Sequence, residues 1–428
     1  MLRPSTGTAP AAGARTKLPS LTSLRFFAAL FVFLYHFSME NGPLAPYGPL
    51  NPFADHRVAA DYASLVQAGG YVGVSFFFVL SGFVLTWSSS PDERKTAFWR
   101  RRILKIYPNH ITLWIIAMAL FAASADSWRA WLPNLFLVNS YFPQASIFAT
   151  VNMPSWTLCS EMLFYMLFPL LLRPIWRIRA GRLWYWAGGV VACMVGIQLI
   201  NVFLIPGSPL SPYLPGTSIP QQWFGYIFPP SRLFEFILGM LLCRIVRAGL
   251  FPRITVGPAL VLMLGGLWLE SALPVAFSFE VATIVPVMVL ICAAASGDVQ
   301  GRTRVLRSRV MVWLGEVSFA FYICQGVVLF YGRIRLTHNA QYGTLEAVGV
   351  QLAFFAANLL AAALLYTFVE RPIMRRWARS RKRPPTARSG ATDVDAVSVG
   401  ASGGSGGTWS GAALPGAAAA EAAPPTPA

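Results

Sequence analysis

Between residues 20 and 369 the chain returns repeatedly to stretches too apolar and too long for the surface of a water-soluble fold. Ten of them lie at about 20–38, 70–90, 108–124, 157–173, 183–205, 228–246, 254–271, 275–296, 311–332 and 345–369. At 1.5 Å per residue, helices of about this length match a hydrocarbon layer about 30 Å thick. The composition agrees: 55% of residues are hydrophobic, 12% are charged and the mean hydropathy is +0.54, whereas charged residues make up about a quarter of an ordinary globular chain. The predicted fold class is therefore an all-α integral membrane protein, a bundle of about ten transmembrane helices. A shorter apolar piece at 130–141, "AWLPNLFLVNSY", is too interrupted to span and is expected to be interfacial or re-entrant.

A net charge of +17 would suggest nucleic acid in a soluble protein. Its distribution says otherwise. With both termini cytoplasmic, 28 of the 34 Lys and Arg residues fall on cytoplasmic segments. Arg57, Arg129, Arg333 and Arg335 fall outside, and Arg25 and Arg232 fall within spans. The positive-inside rule selects that orientation, so the charge is mostly a topology signal. The expected partner is a lipid bilayer, the cell inner (plasma) membrane crossed many times, and not nucleic acid. The five cysteines stand singly in apolar segments and the four histidines lack metal-ligand spacing, so neither a disulfide framework nor a metal site is expected.

The predicted organisation is a cytoplasmic N-terminal segment at 1–19, a membrane domain at 20–372 and a cytoplasmic tail at 373–428. The tail begins basic and then becomes Ala-, Gly-, Pro-, Ser- and Thr-rich, a composition that cannot bury enough apolar surface to order itself. The first apolar stretch is long and lacks a small-residue cleavage pattern, so no cleavable signal peptide is expected.

Against this background, ionisable residues inside spans are functional candidates. In "LTSLRFFAALFVFLYHF", Arg25 and His36 are eleven residues apart, about three helical turns, and so share one face about 16 Å apart along the axis. The competing reading has each side chain snorkelling to its own interface. "VGVSFFFVLSGFVL" (72–85) reads as close helix packing through Gly73, Ser75, Ser81 and Gly82. "FWRRRILKIYP" (98–108) places Arg101, Arg102 and Lys105 at the cytoplasmic start of a span, either as a topology and lipid-headgroup cluster or as a phosphate clamp. In "PSWTLCSEMLFYMLFP", Trp156 reads as an outer interfacial anchor, with Glu161 deeper in the same helix; a charge pair with Arg232 would account for it structurally. "SRLFEFILGM" puts Arg232 and Glu235 together in an expected outer-side polar cluster. Glu316 and Glu370 are expected to pair with nearby arginines. Arg25 and the basic cluster are expected near the cytoplasmic face, His36 and Glu161 in the outer half. Histidine is the side chain best suited to general-base work near neutral pH.

The ordered set "LTSLRFFAALFVFLYH", "VGVSFFFVLSGF", "RRILKIYP", "WTLCSEMLFYMLFP", "SRLFEFILGM", "GEVSFAFYICQ" and "VERP" resembles the acyltransferase-3 family of integral membrane acyltransferases over about 20–372. The resemblance implies a ten-helix core that moves acyl groups, often acetyl, from acyl-coenzyme A to hydroxyls of sugars or natural products. It also implies essential roles for Arg25 and His36, donor binding by Arg101, Arg102 and Lys105, and an acidic position at Glu161. The chain departs from the family in two places. Thr22-Ser23 replaces an aspartate–glycine pair, a wording similar to members that acylate macrolide sugars. Gln325 replaces a histidine, and an amide hydrogen-bonds but does not titrate. Some members carry an added esterase-like domain; the low-complexity tail does not resemble one, so the membrane domain is expected to complete the transfer.

The resulting expectation is a membrane O-acyltransferase with direct transfer and no permanently bound cofactor, acyl-CoA being a co-substrate. His36 is the expected base and Glu161 its orienting partner; Arg232, Glu235 and Gln325 are expected to contact substrate. The alternative is a multi-pass transporter of a sugar or lipid.

Overall fold

The computed structural model describes residues 17–44, 48–89, 94–214, 216–271 and 273–377. Most of the expected N-terminal segment and the low-complexity tail lie outside the described residues. In chain order the helices are α1 (Pro19–Phe37), α2 (His56–Ser88), α3 (Lys95–Ala125), α4 (Met153–Arg177), α5 (Ala180–Leu204), α6 (Ile219–Arg247), α7 (Val256–Glu270), α8 (Ile284–Val299), α9 (Arg309–Thr337) and α10 (Thr344–Trp377). Nine of the expected apolar stretches fall on one of them, and the remaining one, 275–296, does so only from Ile284 onward. Eight of these helices are long and apolar enough to cross a membrane, while α7 and α8 are shorter apolar helices. The described residues contain no strand, only two isolated bridges, Phe53 with Tyr342 and Leu210 with Ser218.

Hydropathy locates the apolar part of a helix but not its polar ends. α2 begins fourteen residues before the apolar stretch expected from 70, at an Asp55 N-cap whose carboxylate accepts from the Arg57 and Val58 amides. Such a cap satisfies two of the four donors left open at a helix start. The 130–141 segment does not span. It forms an eight-residue helix, Trp128–Leu135, and then a short 3-10 turn, Asn139–Tyr141. The ring of His110 on α3 donates through Nε2 to the Asn134 carbonyl at 2.9 Å and so ties this segment to the bundle.

Helices α1, α2, α6 and α9 form the interior. The most apolar window of α2 is 78% buried, against 28% for α5 and 22% for α10, so the last two present their apolar side chains outward, as lipid-facing helices do. Cys159, Cys243, Cys292 and Cys324 are buried packing residues, but Cys193 on α5 is exposed, a difference that follows from that helix's outward face. Trp156 is also not an interfacial anchor: it is buried against Phe78 and Tyr226. The α2–α6 crossing is set by reciprocal glycines. A Cβ on Gly82 would overlap the Phe236 carbonyl oxygen, and one on Gly239 would overlap the Val79 carbonyl oxygen. This is the small-residue contact that lets helix backbones meet in lipid.

Since backbone atoms block the added carbon, Gly239→Ala is expected to cost about 1–3 kcal/mol through overpacking. Thermal unfolding in detergent, followed by size-exclusion chromatography, measures it; an unchanged midpoint would show that the two helices separate freely.

Candidate active site

The interior holds two polar layers. The deeper one surrounds a small cavity of about 20 Å³ lined by Arg25, Val74, Phe77, Phe78, Thr157, Leu158, Glu161, Phe319 and Tyr322. That is room for about one water. Four helices, α1, α2, α4 and α9, each contribute to it. Arg25 lies 6.0 Å from the Phe77 ring centroid, and Glu161 accepts a hydrogen bond from Tyr165 at 3.1 Å. The charges of Arg25, Lys105 and Arg102 all act on the Glu161 carboxylate. Arg102 is held between the rings of Phe98 and Tyr165, 5.4 and 5.7 Å from their centroids. Arg101 beside it is partly buried. Lys105 pairs with Glu370, which also accepts from Asn109 Nδ2 at 2.6 Å. Glu370 thus has a lysine rather than an arginine as partner, and Glu316 accepts from the Tyr366 hydroxyl at 2.7 Å.

The second layer lies nearer the far end of α1. His36 is buried, and its Nδ1–H donates to Gln325 Oε1 at 2.7 Å. A carbonyl oxygen only accepts, so this bond places the proton of the neutral ring on Nδ1 and the lone pair on Nε2. Among the described residues Nε2 has no hydrogen-bond partner. The Phe330 ring meets His36 edge-on at 4.9 Å and Tyr35 lies at 5.6 Å, so the imidazole sits in apolar surroundings. Helix α9 widens into a π-turn at Gly326–Tyr331, immediately after Gln325, the kind of local widening often found at functional sites. Tyr322 and Gln325 are one turn apart on α9, so one helix face runs from the deeper cavity to His36.

These positions correct the expected partnership of Glu161. It lines the same cavity as Arg25, apart from the His36 layer, and its hydrogen-bond partner is Tyr165. The residue that orients His36 is Gln325. The reason is that α4 begins within the interior, with a buried 3-10 turn at Met153–Ser155, so counting inward from its end misjudges the depth. Nor does Glu161 pair with Arg232.

Arg232 and Glu235 do form a buried cluster, together with a third member that the sequence reading missed. Arg232 Nη1 lies 3.0 Å from Glu280 Oε1, Nε lies 3.0 Å from Glu235 Oε2, and Nη2 donates to Ser75 Oγ at 3.3 Å. Its guanidinium is 5.0 Å from the Tyr226 ring centroid and 5.3 Å from that of Phe78. The sign of Glu280 in the sequence was a carboxylate inside an apolar run, "AFSFEVATIV". Asn152, on the loop before α4, was also missed. Its Nδ2 donates to the Ile323 carbonyl at 3.1 Å and its side chain packs on Gly326. No grouping of three potential metal ligands occurs among the described residues.

A buried imidazole with one nitrogen oriented and one unpaired, above a cationic cavity within a helical membrane bundle, defines a polytopic membrane enzyme. The chain belongs to the acyltransferase-3 family, whose acyltransferase-domain model matches residues 18–367; it is an enzyme that transfers acyl groups. It is 36% identical over 389 residues to acyltransferase MdmB of Streptomyces mycarofaciens, covering 88% of this chain and 96% of that protein. It is 27% identical over 326 residues to the exopolysaccharide production protein ExoZ of Rhizobium meliloti, covering 73% and 92%. The peptidoglycan O-acetyltransferase OatA of Listeria monocytogenes is 21% identical over 394 residues, covering 84% of this chain but 56% of OatA. No solved structure matches.

Proposed function

We propose that this chain is an O-acyltransferase of the inner (plasma) membrane that moves an acyl group, often acetyl, from acyl-coenzyme A to a hydroxyl of a carbohydrate or glycosylated natural product. The observation that carries the reading is the Gln325-held His36, whose Nε2 is unpaired and so free to accept a proton. The attacking hydroxyl gives its proton to Nε2 as its oxygen bonds to the thioester carbon. The tetrahedral intermediate then expels the coenzyme A thiolate, which takes the proton back from His36. General-base catalysis of this kind contributes about 10²–10⁴-fold.

The names of the relatives support a sugar acceptor: OatA is an O-acetyltransferase of peptidoglycan and ExoZ is an exopolysaccharide production protein. A groove of about 900 Å³ at the His36 end of the bundle suits an acceptor of that size. Its lining includes Asn41, Phe121, Asp126, Thr150, Tyr331 and Arg335. Phe121 and Tyr331 stack at 5.0 Å, and Tyr331 directly follows the Phe330 that packs on His36. Aromatic faces with scattered polar groups match a glycoside. In this reading all ten helices belong to the membrane domain (20–372), and both termini, the N-terminal segment and the 373–428 tail are cytoplasmic, as the distribution of 28 of 34 basic residues supports. The donor's phosphates would then meet Arg101, Arg102 and Lys105, with Arg25 deeper on the same path and Glu161 holding these cations in place.

The test is transfer of radiolabelled acetyl from acetyl-CoA to glycoside hydroxyls by the purified protein, read by mass spectrometry; no transfer to any hydroxyl would overturn the reading. The donor assignment carries its own prediction. Arg102→Gln is expected to raise the KM for acetyl-CoA about tenfold while leaving the acceptor KM nearly unchanged, because a phosphate contact remote from the thioester chiefly supplies binding. Equal rises in both constants would assign Arg102 to the packing of α3 on α4.

A further inference from the structure

The carboxamide of Gln325 is fully buried but only half used. Its oxygen accepts from His36, whereas its Nε2 has no hydrogen-bond partner. A buried donor left unpaired forfeits its hydration without replacement, so native interiors rarely retain one without a reason. A second unpaired amide atom packs on the residue that follows Gln325 in α9. Asn152 is 1% exposed, and its Oδ1 has no partner although its Nδ2 is bonded to the Ile323 carbonyl.

The backbone next to Gln325 is closely fitted. A Cβ at position 326 would overlap Asn152 Oδ1, so the residue after Gln325 must be glycine for the Asn152 carboxamide to pack on α9 there. Val151 is held in the left-handed region at φ 58°, where a β-branched residue is a genuine outlier. Strain of this kind persists where surrounding structure imposes it and clusters at functional sites. Here its amide donates to Asp126 Oδ2 at 3.3 Å, and the next residue is Asn152. The neighbouring Thr150 lines the groove at the His36 end.

We propose that Gln325 Nε2–H is the donor that binds the thioester carbonyl oxygen and stabilises the oxyanion formed there. The inference rests on the acyl-transfer reading of this site. One side chain then does two things: Oε1 fixes the tautomer of His36, and Nε2 receives the charge that appears when the hydroxyl attacks. As the oxygen–carbon bond forms, the carbonyl π pair moves onto oxygen beside the Gln325 N–H, and the hydroxyl proton moves to His36 Nε2. When the carbonyl re-forms, the carbon–sulfur pair leaves with the thiolate, which recovers that proton. In apolar surroundings a preorganised donor of this kind is worth about 10²–10³ in turnover.

The experiment is difference infrared spectroscopy of [1-13C]acetyl-CoA bound to the full-length protein in lipid nanodiscs. A hydrogen bond to the carbonyl lowers its stretching frequency. The expected result is a lowered frequency in the wild-type protein and in His36→Ala, and a frequency close to that of free acetyl-CoA in Gln325→Met, which keeps the side-chain size without the N–H. Size-exclusion profiles check that each variant is folded. A shift that survives in Gln325→Met, or binding without any shift in the wild type, overturns the proposal and leaves the acyl-transfer reading standing. If acetyl-CoA does not bind the wild-type protein at all, the donor assignment falls and the proposal falls with it.

Discussion

Replacing His36 by Ala or Gln is expected to lower kcat for acyl transfer by about 10²–10⁴, the range that general-base groups contribute, while the KM for the donor stays within a few-fold. Under the proposed donor assignment binding and chemistry separate, because Arg25 lies eleven residues back along α1, about 16 Å from His36. The His36→Gln variant guards against a trivial result. A glutamine amide can still donate to Gln325 Oε1 and fill the space beside Phe330 and Tyr35, so the local packing persists while the basic nitrogen is lost. Steady-state kinetics on purified, monodisperse protein measures the effect. Turnover within about tenfold of wild type in either variant would remove His36 as the base.

The parts of this site that could be read in the sequence are those whose cost is local. Arg25 and His36 stand out because an ionisable group in an apolar run demands an explanation wherever its partners lie. Arg232 and Glu235 stand out as neighbours on one helix, and the structure does bring them together. What could not be read are relations across the fold. The bond from His36 to Gln325 joins residues 289 positions apart, and no periodicity within α1 or α9 encodes it. Resemblance marked Gln325 as a departure and the expected contact was with substrate, with nothing in the sequence to name His36 as its partner. Glu161 was assigned to His36 because hydropathy places a helix end where apolar character begins; the buried turn before α4 shifts that origin. Glu280 was hidden because its stretch reads as a plain span, although α8 begins only at Ile284 and leaves 279–283 as a turn against α6. Asn152 sits in a loop whose unusual backbone conformation at Val151 has no signature of the glycine or asparagine kind.

The Arg232 cluster leads to the largest expected effect on the fold. One guanidinium is buried between two carboxylates, and all three side chains are fully shielded from solvent. Arg232→Met removes the cation and leaves Glu235 and Glu280 facing each other without compensation. Breaking a buried pair in this way costs about 3–5 kcal/mol, a large fraction of the stability of a typical fold. The expected outcome is loss of the monodisperse peak in detergent. Neutralising the remaining pair should reverse it: the triple variant Arg232→Met, Glu235→Gln, Glu280→Gln is expected to recover folded protein, because amides at the same positions no longer carry the charge that lacks a partner. Arg232→Met alone remaining as stable as wild type would show that water or lipid headgroups reach the cluster. The triple variant then decides what the cluster is for. Recovered fold with recovered transfer makes it a structural clamp between α6 and the turn before α8. Recovered fold without transfer, and with the acceptor KM raised, places Arg232 and Glu235 among the groups that bind the acceptor.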